Sequence, residues 1–263
     1  MTVASTQYSP KISPTIVFGI DGKVDPFLAL AEGCRNIAKN FVTTLTCFVA
    51  LTVFTTLLCF AALPLEQAIP SCRGTDCVQA YYRYFTLYFF PNPYLAIGSA
   101  VALFLIWIAY KKIILTSALV GGRTISYKII KKITAYQLFK MLMLYILLMG
   151  TYCVGIFLMV VPFFVFYIRY IFSENLVLDS HSGALLAPRI SRLITAGNRP
   201  EIALCVIIPA VLATVACYFI WKSTLQFSVA FTLTVAVISL MRIMVAAILA
   251  VVYAGIAEVV RGR

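Results

Sequence analysis

The stretch VVPFFVFYIRYIFSENLVLD, residues 160–179, ends an apolar run that begins near Gln137 and contains Arg169. A helix crosses the hydrocarbon core of a bilayer in about 20 residues. The 36 residues from Gln137 to Phe172 are therefore too many for one crossing and few for two. The number of crossings in this run decides the topology of the whole chain, because it sets the side of the membrane on which every later loop lies.

The composition places most of the chain in lipid. Of its 263 residues, 62% are hydrophobic and 11% are charged, whereas soluble domains average roughly 45–50% apolar and about 25% charged residues. We therefore expect one integral membrane domain over residues 1–263, built as an all-α bundle. The net charge of +12 is typical of basic cytoplasmic loops, and we expect no nucleic-acid partner. Residues 1–24 are polar, and we predict a flexible tail without a cleavable signal peptide.

Charge favours two crossings in the run that starts near Gln137. Residues 111–140 carry seven lysines and arginines, the strongest cytoplasmic signal in the chain. With two crossings Arg189, Arg192 and Arg199 also lie in the cytoplasm, whereas one crossing would leave them outside. The sequence therefore predicts six transmembrane helices with both termini in the cytoplasm, at about residues 41–63, 94–119, 139–159, 162–178, 202–221 and 225–257.

Local sequence supports a turn inside this run. Pro162 suits the first turn of a new helix, because the N–H that proline lacks has no partner there. Gly150 and Gly155 are expected to loosen the run before the turn.

An amphipathic helix is predicted over residues 25–40. Asp25 is a helix N-cap and Pro26 suits the first helical position. Apolar residues then recur at helical spacing, and the remaining positions are predicted to form a polar face of Glu32, Arg35, Asn36 and Lys39. This pattern indicates an interfacial helix that leads into the first membrane span.

Two more amphipathic segments follow later in the chain. Residues 123–140 carry a basic face, which either recognises anionic lipid headgroups or serves as a general interfacial anchor; its residues are Lys128, Lys131, Lys132 and Lys140. Between the fourth and fifth spans, residues 180–198 carry an apolar stripe of Leu186, Ile190, Leu193 and Ile194.

A span that starts with proline and contains an arginine is followed by an acidic residue and a further helix; the residues of this pattern are Val161, Pro162, Tyr167, Arg169, Asp179, Ala187, Ser191, Ile194, Thr195, Gly197 and Asn198. In these residues the chain resembles the YciC-like group of bacterial inner-membrane proteins. The resemblance covers roughly residues 137–220. The chain departs from the pattern in three places: Phe163 stands where the group has glycine, the acidic residue before Ala187 is missing, and Pro188 replaces leucine. Related membrane domains are fused to some glycerophosphodiester phosphodiesterases. The resemblance implies a six-helix bundle in a bacterial inner membrane, and no catalytic residues.

No catalytic constellation is visible in the sequence, so we expect neither enzymatic activity nor a metal or cofactor. The chain has a single histidine, His181. Cys72 and Cys77 fall in the predicted outer loop between the first and second spans. In an oxidising compartment they form a candidate disulfide, and free thiols or a metal site are the alternatives.

Three charged residues are predicted to lie deep in the membrane: Arg169, Glu174 and Arg242. We expect Arg169 to point into the bundle, because an unpaired guanidinium in lipid is costly. It would reach either helix-end carbonyls or a polar interior that Arg242 borders and that attracts anions. Small residues at every fourth position of the last span predict close packing within the bundle, or with a second copy or a partner membrane protein; they are Ala246, Ala250 and Ala254.

These observations give two hypotheses for function. The first is a non-enzymatic envelope protein that contacts or organises lipid through its basic helices. The alternative is a transporter or channel for a small solute, anions included. A lipid enzyme embedded in the membrane ranks third, because no nucleophile, base or metal set is present. A cavity open to one leaflet favours lipid contact, and a central cavity at the midplane favours transport.

Overall fold

A computed structural model describes residues 18, 23–62, 93–120, 133, 135–157, 160–179, 183–223 and 227–261. This part of the chain forms nine α-helices. They are α1 (Pro26–Lys39), α2 (Phe41–Ala62), α3 (Pro93–Leu119), α4 (Ala135–Phe157), α5 (Val160–Tyr170), α6 (Ser173–Leu178), α7 (Ala187–Ile194), α8 (Arg199–Lys222) and α9 (Phe227–Arg261).

Five of these helices are long and apolar enough to cross a membrane: α2, α3, α4, α8 and α9. The predicted all-α, multi-pass membrane architecture is confirmed at this level. Helices α5 and α6, which cover the fourth predicted crossing, are not among the five.

Helices α4 and α5 form a tight antiparallel hairpin. The ring of Tyr152 on α4 lies 5.6 Å from that of Phe163 and 6.0 Å from that of Tyr167 on α5. A Cβ atom built on Gly155 would lie 3.0 Å from Cα of Phe163. The prediction that Gly150 and Gly155 loosen the chain is wrong, because α4 remains helical to Phe157. Gly155 instead lets the two backbones approach closely.

The predicted span over residues 162–178 is not one helix. Helix α5 ends at Tyr170 and α6 begins at Ser173. At the break, the Ser191 hydroxyl of α7 donates to the carbonyl of Arg169 at 2.9 Å and accepts from the N–H of Phe172 at 3.2 Å. The side chain of Ser191 thus satisfies backbone groups near the break, which would be costly to leave unpaired in a buried site.

Helix α1 packs into the bundle through small and polar residues. Asp25 caps it by accepting from the N–H groups of Phe27 and Leu28, as the sequence predicts. Its buried face consists of Ala29, Gly33 and Asn36. The assignment of Asn36 to the water-facing side was wrong, because it is buried and donates to the carbonyl of Ile114. Of the predicted apolar face, Phe27 and Cys34 are exposed, whereas Leu30 and Ile37 pack against the core.

Helix α9 is the central element of the bundle. Its 35 residues extend about 52 Å at 1.5 Å per residue, well beyond a hydrocarbon core of about 30 Å. The half that contains Ile243 to Ile256 is largely buried, and α1 packs on it where Gly33 meets Ile248. The three alanines predicted to allow close packing are all buried in this half, within the single chain.

Candidate functional site

A cleft of about 240 Å³ lies between the α4–α6 hairpin and helices α3, α8 and α9. We call it the cleft throughout. It is lined by Trp107, Lys111, Tyr145, Tyr152, Tyr167, Tyr170, Ile171, Glu174, Val206, Ala210, Met241, Arg242, Val245, Ala246 and Leu249.

Helical periodicity brings these side chains to one place. Tyr167 and Tyr170 are three residues apart and share one face of α5, and α6 places Glu174 in the same cleft. On α3, Trp107 and Lys111 are four residues apart and likewise share a face. The hairpin therefore contributes an aromatic wall, and the bundle contributes a wall that carries two cations.

The first charged cluster of the cleft joins three helices. The Lys111 ammonium on α3 forms an ion pair with the Glu174 carboxylate on α6. The Tyr145 hydroxyl on α4 donates to the same carboxylate oxygen at 2.9 Å. The side chains of Lys111 and Glu174 are only 11% and 18% exposed. A charge pair this far from water is destabilising to break, because the remaining partner would lie buried and unpaired.

The second cation of the cleft, Arg242, has no acidic partner among the residues that the structure describes. The Arg242 guanidinium lies over the ring of Trp107, with 4.7 Å between Cζ and the ring centroid. The Lys111 ammonium lies 5.2 Å from the same centroid. Within the part of the chain that the structure describes, no carboxylate approaches Arg242 to within 4.0 Å. The indole orients the guanidinium without neutralising its charge.

The structure brings two of the three predicted intramembrane charges together. Glu174 and Arg242 both line the cleft, and Arg169 does not. Arg169 follows Tyr167 by two residues, which is about 200° around a helix, so it projects away from the face that lines the cleft. Its Nε atom is buried without a hydrogen-bond partner.

Several predicted positions fall elsewhere. Lys140 lies on α4 with its ammonium 4.4 Å from the centroid of the Tyr136 ring, outside the cleft. Ala246 lines the cleft, whereas Ala250 and Ala254 do not. The predicted lipid contacts Lys128, Lys131 and Lys132, the candidate disulfide of Cys72 and Cys77, and the single histidine His181 lie outside the described residues.

Sequence reasoning missed Lys111, Tyr145 and the rest of the aromatic wall. It counted Lys111 among the basic residues of a cytoplasmic segment. However, the predicted second span already extended to residue 119, eight residues beyond this lysine. A lysine that far inside a span needs a partner, and this was the signal that could have marked Lys111 as a site residue.

The cations of the cleft, Lys111 and Arg242, are groups that suit an anionic ligand. Among the described residues, no group of three metal-ligating side chains occurs. Arg242 is exposed at the cleft and offers several N–H donors in a fixed plane, with the ring of Trp107 against its guanidinium. In comparisons with known proteins, no family model, no curated protein and no solved structure matches the chain. The resemblance to the YciC-like group therefore stays a prediction.

Proposed function

We propose that the protein is a non-enzymatic, multi-pass membrane protein that takes lipid from the surrounding bilayer into the cleft. The observation that most supports this is the contrast between the two walls of the cleft. Arg242 and Lys111 lie on one wall, and the rings of Tyr152, Tyr167 and Tyr170 lie on the other. A lipid has the same two parts, an ionic headgroup and an apolar body, and basic pockets between membrane helices bind anionic headgroups.

The proposal includes six crossings with both termini in the cytoplasm. Residues 160–178 extend about 28 Å at 1.5 Å per residue, and they pack against α4 from Phe163 to Glu174. In this arrangement α5 and α6 together complete the fourth crossing, and Lys111 and Glu174 lie in the cytoplasmic half of the membrane. The cleft then takes lipid from the inner leaflet. The resemblance to the YciC-like group supports a bacterial inner membrane as its location.

The amphipathic helices support the same proposal. The apolar residues Phe27 on α1 and Leu193 on α7 are 72% and 74% exposed. Both helices pack on the bundle through one side and leave large apolar side chains exposed on another, which suits a helix at the membrane interface. Contacts with anionic headgroups by Lys128, Lys131, Lys132 and Lys140 extend this proposal to the basic segment.

Co-purified lipid tests the proposal. The protein would be extracted in a mild detergent, and the lipid bound per chain measured by native mass spectrometry. Ala210→Trp fills the cleft from α8, and Leu212→Trp places the same bulk on the outward side of that helix, where Leu212 is 61% exposed. We expect the first variant to lose the bound lipid and the second to keep it. Equal lipid content in both variants and in the unsubstituted protein would contradict a lipid site in the cleft.

Passage of a small anion is the second candidate function. It is supported by Arg242, whose charge has no acidic partner in the described residues, and by the position of the cleft between membrane helices. Purified protein in liposomes loaded with chloride or phosphate would release the anion, and Arg242→Gln would abolish the release. A release rate equal to that of protein-free liposomes would leave lipid binding as the better proposal.

A further inference from the structure

We propose that the cleft selects the charge of its ligand, binding a phosphodiester with one negative charge in preference to a phosphomonoester, which carries nearly two. This inference rests on the proposed function and names the headgroup chemistry that the cleft takes. Arg242 is the direct partner of the phosphodiester. Glu174 neutralises the charge of Lys111 and thereby limits the cleft to a ligand group with one negative charge.

The charge balance of the cleft is the first step of the argument. Among the described residues, three charged side chains line it: Lys111, Glu174 and Arg242. Lys111 and Glu174 are joined as an ion pair that is mostly shielded from solvent, so their charges cancel. One positive charge is left, on Arg242. A ligand group with a single negative charge restores neutrality, and a second negative charge has no partner.

The donors available in the cleft are the second step. A guanidinium presents paired N–H groups that match two phosphate oxygens. The hydroxyl of Tyr145 is already committed to Glu174, so Arg242 supplies the ionic contact. The carboxylate of the cleft already has partners. Glu174, the only acidic residue among the described lining residues, accepts from both Lys111 and Tyr145. Within the described lining, the ammonium of a zwitterionic headgroup would therefore have to share this one carboxylate with Lys111.

The size of the cleft is the third step. About 240 Å³ is several times the roughly 30 Å³ that one water molecule occupies in the liquid. A carboxylate alone would leave most of this space to water beside the apolar side chains of Val206 and Met241. A phosphodiester with a glycerol substituent fills more of it, and its apolar carbons contact the tyrosine rings.

A phosphomonoester is disfavoured by the same residues. It carries about −1.5 to −2 charges at pH 7, and its second charge would lie in the same cleft as the Glu174 carboxylate. Like charges placed together in this way are strongly unfavourable. Removing the charge of Glu174 frees Lys111, raises the net charge of the cleft to two positive charges, and makes the monoester the better match.

Fluorescence of Trp107 provides the measurement. The chain has two tryptophans, so Trp221→Phe leaves Trp107, which lies against Arg242, as the single reporter. The full chain in detergent would be titrated with short-chain phosphatidylglycerol as the diester and short-chain phosphatidic acid as the monoester. Octanoate serves as the carboxylate probe, and deacylated glycerophosphoglycerol as the water-soluble diester.

We expect the diester lipid to bind at least about ten-fold more tightly than the monoester lipid. Arg242→Gln should weaken diester binding by about ten-fold or more. Glu174→Gln should reverse the order of the two lipids. Arg192→Gln, which changes an exposed arginine of α7 outside the cleft, is the matched control and should change neither affinity.

The double variant Lys111→Gln/Glu174→Gln keeps the inference testable even where Glu174→Gln does not fold. It removes the ion pair but leaves Arg242 as the single charge, so it should retain the preference for the diester. Equal affinity for diester and monoester, an unchanged order in Glu174→Gln, or octanoate binding as tight as the diester would overturn the inference.

The same measurements distinguish failure of the proposed function from failure of the charge selection. If no lipid binds and Ala210→Trp changes nothing, lipid uptake into the cleft is wrong. If lipid binds in the cleft without regard to its charge, only the charge selection is wrong. Binding of glycerophosphoglycerol as tight as that of the lipid would support the phosphodiester site and assign it to a free solute rather than to a lipid.

Discussion

Gly155 on α4 lies against the backbone of Phe163 on α5, so that an added Cβ would come within 3.0 Å of Cα and 3.3 Å of N of Phe163. Gly155→Ala should therefore push the two helices of the hairpin apart. We expect a loss of about 1–3 kcal/mol in stability, as for other overpacked sites. Gly150→Ala on the same helix meets nothing within 4 Å and should be neutral or stabilising by up to about 1 kcal/mol. Thermal unfolding in detergent compares the two, and equal melting temperatures would contradict the close approach.

Gly33 on α1 makes the corresponding contact with α9. A Cβ there would lie 2.7 Å from Cγ1 and 3.0 Å from Cα of Ile248. Because the backbone of Ile248 cannot move aside easily, we expect Gly33→Ala to displace α1. Trypsin should then cleave after Arg35 and Lys39 faster than in the unsubstituted protein. Gly98→Ala, which has open space around its Cβ position, is the control and should leave the cleavage rate unchanged.

Ser191 is predicted to stabilise the break between α5 and α6. Ser191→Ala removes the hydroxyl that bonds to Arg169 and Phe172 and leaves these backbone groups unpaired in a buried site. We expect a loss of about 1–3 kcal/mol. In Thr214→Ala the lost hydroxyl is exposed and bonds only to its own helix, so the melting temperature should change little. A similar small change for Ser191→Ala would show that water replaces the hydroxyl.

The number of crossings can be measured with single cysteines in a cysteine-free chain. Ala196 and Ser223 are exposed residues just beyond opposite ends of α8. Six crossings with the N-terminus inside predict that a membrane-impermeant maleimide labels Ser223→Cys in intact cells, and labels Ala196→Cys only after the membrane is opened. The opposite pattern would mean that α5 and α6 do not cross.

The candidate disulfide between Cys72 and Cys77 is a separate prediction from sequence. In an oxidising compartment it closes a short loop. Mass spectrometry of protein digested without reduction should find one peptide pair joined through these cysteines. Free alkylation of both thiols in protein taken directly from cells would contradict it.

Local signals in the sequence predicted most of the helix boundaries. The Asp25 cap and the Pro26 start set the beginning of α1, and apolar length defined α2, α3, α8 and α9. The break after Tyr170 could not be predicted in this way, because it depends on Ser191, a residue about 20 positions later in the chain. Contacts between distant segments leave no periodic pattern in a single sequence.

Only some of the residues that line the cleft could be predicted from the sequence, because their meeting depends on contacts between distant segments. Glu174 and Arg242 stood out as charges inside apolar spans, and the structure places both in one cleft. Arg169 was an equally clear charge inside an apolar span, but its position around the helix turns its side chain away from the cleft. In the single helix predicted over residues 162–178, the spacing of Tyr167, Tyr170 and Glu174 puts them on one face. The pairing of this face with Trp107 and Lys111 could not be predicted, since it depends on how the hairpin packs against the bundle.

The contact between Gly33 and Ile248 also sets an order of events during biosynthesis. Ile248 follows Gly33 by 215 residues, so at roughly 5–20 residues per second the ribosome needs about 10–40 s to complete the partner of α1. Throughout that interval the face with Asn36 has no α9 to pack against. A nascent chain released before α9 would carry an undocked α1, and protease cleavage at Arg35 or Lys39 would distinguish it from the finished protein.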